Sequence, residues 1–184
     1  MSELDERSWS GAIGMYERRV TIAKVTSRVH ENWVLDVSTL MHSDTRDVRG
    51  WRTVDHWEGD LDRLDEPSYP FVMPPGAAAT ADGWKSYLHE IPRSQAMRFL
   101  VALSTPWIDV TEEPDFEERR ETLEANARVI LSRFPEGSHF YANTGRDRDY
   151  YQRVSGWNSF SSRTYDFGLV LVSETEVGMV WSFR

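Results

Sequence analysis

The sequence predicts an α+β protein in which an antiparallel β-sheet carries two or more helices on one face. Two stretches at the C-terminal end alternate apolar and polar residues, as strands do. Two earlier stretches repeat apolar residues at helical spacing. No sequence repeat of the kind that builds solenoids is present, and 184 residues suit one domain spanning residues 1–184.

The N-terminal third is predicted to contribute strands. Residues 19–29 (RVTIAKVTSRV) are expected to run as a strand, turn at residues 30–32, and continue as a second strand over residues 33–41. Helical spacing of Ile22, Val25 and Val29 is the alternative, but the many β-branched residues favour the strand. A third strand is predicted around residues 48–54.

The middle of the chain is predicted to lie mostly at the surface. Residues 55–66 (DHWEGDLDRLDE) lack the ligand spacing of a calcium loop, which favours an acidic surface patch or the first turn of a short helix. Residues 69–83 (YPFVMPPGAAATADG) are rich in proline, glycine and alanine, which predicts a long surface loop.

Two helices are predicted next, over residues 94–103 and residues 114–134. Pro106 forbids continuation of the first helix. The second begins near Pro114, carries acidic residues in its first half, and is stopped by Pro135 and Gly137, a layout that also suits the helix dipole. We expect this second helix to pack on a sheet.

The C-terminal stretches are predicted to form a β-hairpin over residues 164–172 and 177–184, joined by a short link. The residues that share one face of a strand are Tyr165, Phe167, Leu169 and Leu171 in the first and Val177, Met179, Trp181 and Phe183 in the second. The opposite face carries further valines, so both faces are covered. This predicts a central position in the sheet.

The composition excludes several classes of function. No cysteine is present, which removes disulfides, thiol nucleophiles and thiolate metal sites. The net charge of −9 argues against nucleic-acid binding. No apolar run is long enough for a membrane span, and no cofactor motif is present, so we expect a cytoplasmic protein without a cofactor. Nineteen arginines against two lysines indicate a GC-rich bacterial genome.

A cluster of histidines and aspartates offers the main catalytic alternative. The groups are His42, Asp44, Asp47, Asp55 and His56. Their spacing matches no metal motif, so no metal site is predicted. The alternative function is nevertheless a hydrolase or a metal-assisted phosphoesterase that uses these histidines and aspartates.

The long segment over residues 143–163 is the candidate binding surface. It shows little periodicity, and loops of this length in compact domains are usually functional. Arginine, tyrosine and tryptophan dominate interface hot spots. The candidate binding residues are Arg146, Arg148, Tyr150, Tyr151, Arg153 and Trp157. The alternative is a connection whose aromatic residues fill the core.

Together these features favour a small acidic binding or regulatory protein without catalysis. Its expected partner is another protein, and a basic toxin or nuclease is one version of this hypothesis. The acidic runs at residues 55–66 and 109–124 motivate it, because a negative surface attracts a cationic partner. The sequence makes no prediction of oligomeric state.

Overall fold

The computed structural model describes residues 4–17, 20–55, 61–71, 83, 85–145 and 149–183. Within these residues the chain forms four α-helices and one six-stranded antiparallel sheet, which confirms the predicted α+β class. The helices are α1 (Glu6–Ile13), α2 (Trp33–Leu40), α3 (Arg93–Leu103) and α4 (Phe116–Ser132). The strands are β1 (Thr21–Ser27), β2 (Val54–Asp55), β3 (His89–Ile91), β4 (His139–Ala142), β5 (Asp166–Val172) and β6 (Glu176–Phe183).

The sheet has the order β2-β1-β6-β5-β4-β3, so the C-terminal hairpin lies at its centre, as predicted. β5 and β6 pair with Leu169 opposite Val180 and with Val170 opposite Met179. β1, from the N-terminal part of the chain, pairs with β6 along its whole length. The sheet therefore joins residues from both ends of the chain.

Helices cover both faces of the sheet. Leu169 and Val180 share a buried cluster with α1, α3 and α4, whereas Met179 and Trp181 share a second cluster with α2 on the opposite face. Every residue of β5 and β6 is consequently buried. Three helices do lie together on one face, as predicted, and α2 adds a layer to the other.

The predicted strand over residues 33–41 is wrong, because this stretch forms helix α2. The side chain of Asn32 accepts a hydrogen bond from the backbone N–H of Val34 and caps the helix N terminus. Val34, Val37 and Leu40 follow one another at helical spacing and are fully buried. Burial of one continuous helical stripe outweighs the strand preference of the β-branched residues.

The other element predictions are met to different degrees. β1 and the two helices α3 and α4 occupy the predicted stretches. The strand predicted around residues 48–54 is reduced to β2, which pairs with β1 through two residue pairs. Residues 1–18 carried no predicted element, yet they contain α1, which Asp5 and Ser8 cap through reciprocal hydrogen bonds.

The middle segments are described only in part. Leu61–Leu64 form one turn of 3-10 helix, in agreement with the short helix considered for residues 55–66. Most of the predicted loop over residues 69–83 lies outside the described residues, although Phe71 is buried against Trp181 and Phe183. In the described part of the chain, the helices are all too short or too polar to span a bilayer.

A buried ion network joins distant parts of the chain. Arg133, directly after α4, donates to Asp47 at 2.8 Å and to Glu176 at 3.0 Å. The guanidinium lies 4.6 Å from the centroid of the Trp9 ring and 5.1 Å from that of Trp51. The end of α4, the start of β6, α1 and the segment around residue 47 are thereby held together.

Candidate functional site

The segment 143–163 leaves β4 and returns toward β5, and Asn143 fastens both of its ends. Its side-chain Nδ2 donates to the backbone oxygens of Asn158 and Asp166, both at 2.9 Å. Its Oδ1 accepts from the backbone N–H of Gly168 at 2.9 Å. Thr144 bridges Trp157 in antiparallel fashion. The side chain of Asn143 therefore ties the loop to the backbone of β5.

The buried carboxylate of Asp166 organises the second half of the loop. It accepts hydrogen bonds from the backbone N–H groups of Phe160 at 3.1 Å and Ser161 at 3.0 Å. It also accepts from the Ser159 hydroxyl at 2.6 Å and from Trp181 Nε1 at 3.3 Å. A buried carboxylate needs such donors, and here the loop backbone supplies two of them.

Tyr150 belongs to the core. Its side chain is fully buried, its ring stacks on Phe99 with the centroids 4.2 Å apart, and its hydroxyl shares a 2.7 Å hydrogen bond with Thr144. This predicted binding residue therefore cannot contact a partner in the observed conformation. For Tyr150, the alternative of a connection with core-filling aromatics applies.

Tyr151 fastens the loop to α4. Its hydroxyl donates to Glu124 at 2.9 Å, and the guanidinium groups of Arg98 and Arg120 lie 4.8 Å and 5.0 Å from its ring centroid. Burial, together with this hydrogen bond to a carboxylate, raises the pKa of Tyr151 well above its usual range. Burial also raises the pKa of Glu124, but the hydrogen bonds from Arg120 and Tyr151 outweigh this effect and leave that pKa below its ordinary value. Tyr151 is thus a neutral donor to a charged acceptor.

The remaining predicted residues divide by position. Arg153 is exposed and Trp157 is half-buried, and both line a groove at the surface. Arg146 and Arg148 lie outside the described residues. Of the four described candidates, Arg153 and Trp157 are therefore the two that line this groove.

This groove, which we call the aromatic groove, has a volume of about 250 Å³. It is lined by Asp109, Glu112, Arg153, Val154, Trp157, Tyr165 and Phe167. The Trp157 ring lies 5.1 Å from that of Tyr165 and 4.8 Å from that of Phe167, both tilted. Tyr165 remains 39% exposed, so one aromatic ring of the groove is open to solvent.

Two residues that line the groove, Asp109 and Glu112, belong to the most acidic stretch of the chain. Residues 109–124 hold eight carboxylates and two arginines, a net charge of −6 within a total of −9. The exposed carboxylates of this stretch are Glu112, Glu117, Glu118 and Glu121. We call this stretch, together with the aromatic groove, the acidic face. Exposed carboxylates and the exposed ring of Tyr165 thus belong to the same face.

The acidic run at residues 109–124 and the aromatic loop over residues 143–163 were both predicted from the sequence, but their contact was not. The contact depends on how α4 packs beside α3 and on the anchoring of Tyr151 to Glu124. Tyr165, Asp109 and Glu112 were not predicted as site residues. The acidic run was the signal available for the last two, whereas Tyr165 was assigned to the hairpin.

In the predicted histidine–aspartate cluster, two of the aspartates form ion pairs with basic residues. Asp47 is paired with Arg133, and Asp55 is paired with Lys24 at 2.6 Å and with Arg63 at 2.9 Å. Lys24, Asp47 and Asp55 line a polar groove of about 500 Å³.

His42 is exposed, and His56 lies outside the described residues. Among the side chains that the structure describes, no three histidine, aspartate or glutamate groups converge as metal ligands. The hydrolase alternative stays a prediction.

Comparison of the chain with protein families, with curated proteins and with solved structures finds no match.

Proposed function

We propose that the chain is a non-catalytic binding protein that docks through the acidic face onto a basic protein, such as a basic toxin or nuclease. The observation that carries this proposal is the position of the aromatic groove against the most acidic stretch of the sequence. Aromatic side chains supply contact area at an interface, and complementary charge supplies steering and specificity.

The electrostatics favour a cationic protein over a nucleic acid. A phosphate backbone would approach a stretch with a net charge of −6, in which Glu112, Glu117, Glu118 and Glu121 are exposed. A protein whose own active site is cationic would be attracted to the same surface. The absence of cysteine from all 184 residues agrees with activity in the reducing cytoplasm, where we place this protein.

The rigid support of the loop favours binding without large rearrangement. Asn143, Asp166 and Tyr151 fix the loop from the sheet side and the helix side. A preformed surface loses less conformational entropy on association than a flexible one. The acidic face therefore presents its aromatic rings in a fixed arrangement.

The test uses a short fluorescent peptide rich in lysine and arginine, with binding followed by anisotropy. The test variant combines Glu112→Gln, Glu117→Gln, Glu118→Gln and Glu121→Gln on the acidic face. The matched control combines Glu31→Gln, Asp65→Asn, Glu136→Gln and Glu174→Gln, which remove the same charge from exposed positions elsewhere. The two variants have equal net charge, so a difference between them reports the location of the site.

We expect the acidic-face variant to bind about tenfold more weakly than the unsubstituted protein and the control variant to lose less than about threefold, since exposed ion pairs each contribute roughly 0.2–1 kcal/mol. Binding should also weaken steeply as the ionic strength rises from about 0.01 M to about 1 M, where the Debye length falls from about 30 Å to about 3 Å. Equal losses in both variants, or no binding at low salt, would overturn the proposal.

A further inference from the structure

The 3-10 turn Leu61–Leu64 carries two leucines at the surface. Leu61 is 77% exposed and Leu64 is 79% exposed, the highest values among the large hydrophobic side chains that the structure describes as exposed. Residues three apart in a 3-10 helix lie on the same side of it, so the two side chains share one face. We call Leu61 and Leu64 the leucine pair.

Arg63 anchors this turn to the edge of the sheet. Its side chain is buried, its Nε donates to the backbone oxygen of Tyr69 at 3.1 Å, and its Nη1 donates to both carboxylate oxygens of Asp55 at 2.9 Å. Asp55 is the last residue of β2. A turn that buries Arg63 in this way holds its two leucines on the outside, and exposed apolar side chains beside charged residues are typical of interaction sites.

The charge around the leucine pair indicates which partner fits. Residues 55–66 have a net charge of −5, and within this run Asp65 and Glu66 are exposed. A second copy of the chain would bring the same negative run against itself, and a nucleic acid or an anionic lipid surface would bring phosphates. A protein segment with basic residues beside apolar ones matches both the leucines and the carboxylates.

We propose that the leucine pair docks onto a segment of a partner protein in which apolar side chains alternate with lysine or arginine. The apolar side chains cover Leu61 and Leu64, and the basic residues face the carboxylates of residues 55–66. The driving force is the removal of the two leucines from water, and the charges select the partner. This inference goes beyond the proposed function, because neither leucine lines the aromatic groove or lies in residues 109–124.

The experiment compares two fluorescent peptides of equal length and equal lysine content, one with leucines between its lysines and the other with serines. Their charge is the same, so general electrostatic attraction affects both equally. The test variant combines Leu61→Ser and Leu64→Ser. The matched control combines Val29→Ser and Val48→Ser, which remove apolar side chains that are 73% and 45% exposed outside residues 55–66.

We expect the unsubstituted protein to bind the leucine peptide about tenfold more tightly than the serine peptide. The Leu61→Ser, Leu64→Ser variant should reduce this preference to less than about twofold, while the valine control should keep it. Urea denaturation checks that the leucine pair is exposed in solution, since the test variant should then unfold at the same urea concentration as the unsubstituted protein. A clear fall in that concentration would mean that the chain itself covers the leucines, and it would overturn the proposal.

The outcomes separate this inference from the proposed function. If the preference for the leucine peptide is absent, or persists in the test variant, the leucine pair is overturned while the acidic face is unaffected. If the test variant loses the preference but the acidic-face variant binds the serine peptide as tightly as the unsubstituted protein, the leucine pair stands and the proposed function fails. If the valine control loses the preference to the same extent, the contact is not specific to the leucine pair and the proposal is overturned.

Discussion

At the scale of single residues, Asp166 holds the loop that forms one wall of the aromatic groove. Replacing it with asparagine keeps the size of the side chain but turns one acceptor into a donor that faces the N–H groups of Phe160 and Ser161. Because these buried donors lose a charged acceptor, we expect Asp166→Asn to lower the free energy of unfolding by about 3 kcal/mol. Urea denaturation measures this loss, with the exposed nearby substitution Ser162→Ala as control. A loss below about 1 kcal/mol would show that the loop does not depend on this carboxylate.

The residue types in the loop over residues 143–163 indicated that its side chains make contacts. They did not indicate whether those contacts are with the core or with a partner. Tyrosine serves a core and an interface equally well, because its ring is apolar and its hydroxyl can reach a partner of either kind. Tyr150 finds its partner inside, in Thr144, whereas Trp157 packs at the rim of the groove. Composition alone could not separate these two roles, since burial is decided by where α3 and β4 place each side chain.

At the scale of elements, the two strands at the centre of the sheet are packed without spare room. Gly168 on β5 lies opposite Trp181 on β6, and a Cβ atom at position 168 would overlap the Trp181 ring. Gly11 on α1 is exposed, and a Cβ atom there would meet no neighbour within 4 Å. The same chemical change therefore has opposite consequences at the two positions.

We expect Gly168→Ala to destabilise the protein by about 3 kcal/mol or more, because the ring is fully buried and must shift against a packed core. Gly11→Ala should stabilise it by about 0.5–1 kcal/mol, the usual gain from alanine within a helix. The free energy of unfolding of the two variants in urea, against the unsubstituted protein, measures both. A similar effect of the two substitutions would contradict the packing described around Trp181.

Helices and strands could be predicted where the apolar residues of a stretch follow a single helical or strand spacing. The alternation of β5 and β6 and the apolar stripe of α4 are long and unbroken, and both were predicted correctly. Helix α2 was not, because Val34 and Val37 favour a strand locally while their spacing buries one helical face. The acidic face could not be predicted as a unit, since residues 109–112 and 153–165 are distant in sequence and are brought together only by the tertiary fold.

At the scale of the whole molecule, charge is unevenly distributed. Residues 109–124 have a net charge of −6 and residues 55–66 a net charge of −5, so the rest of the chain has a net charge of +2. If the proposed partner is cationic, the run at residues 109–124 would attract it before contact. That residues 1–184 form one domain stays a prediction. The pairing of β1 with β6 joins residues from the two ends of the chain in one sheet.

The buried ion network also makes the stability of the whole molecule depend on pH. Burial raises the pKa of Glu176, but hydrogen bonds from Arg133 and Arg49 outweigh it and hold that pKa below its ordinary value of 4.5. A carboxyl whose pKa is lowered by folding stabilises the folded state above its unfolded pKa. That stabilisation is fully present above about pH 4.5 and is lost as the pH falls through the lower, folded value.

We expect Glu176→Gln to lower the free energy of unfolding at neutral pH by about 3–5 kcal/mol, because Arg133 is left buried with one of its two carboxylates missing. The variant should lose less stability than the unsubstituted protein as the pH falls below about 4.5, since it no longer carries the Glu176 carboxyl that titrates there. Urea denaturation at stepped pH measures both effects, and Glu174→Gln, an exposed carboxylate in the same turn, is the control. Parallel pH profiles for all three proteins would show that the network does not set the acid sensitivity, whereas a flatter profile for Glu176→Gln alone assigns it to the contact between α4 and β6.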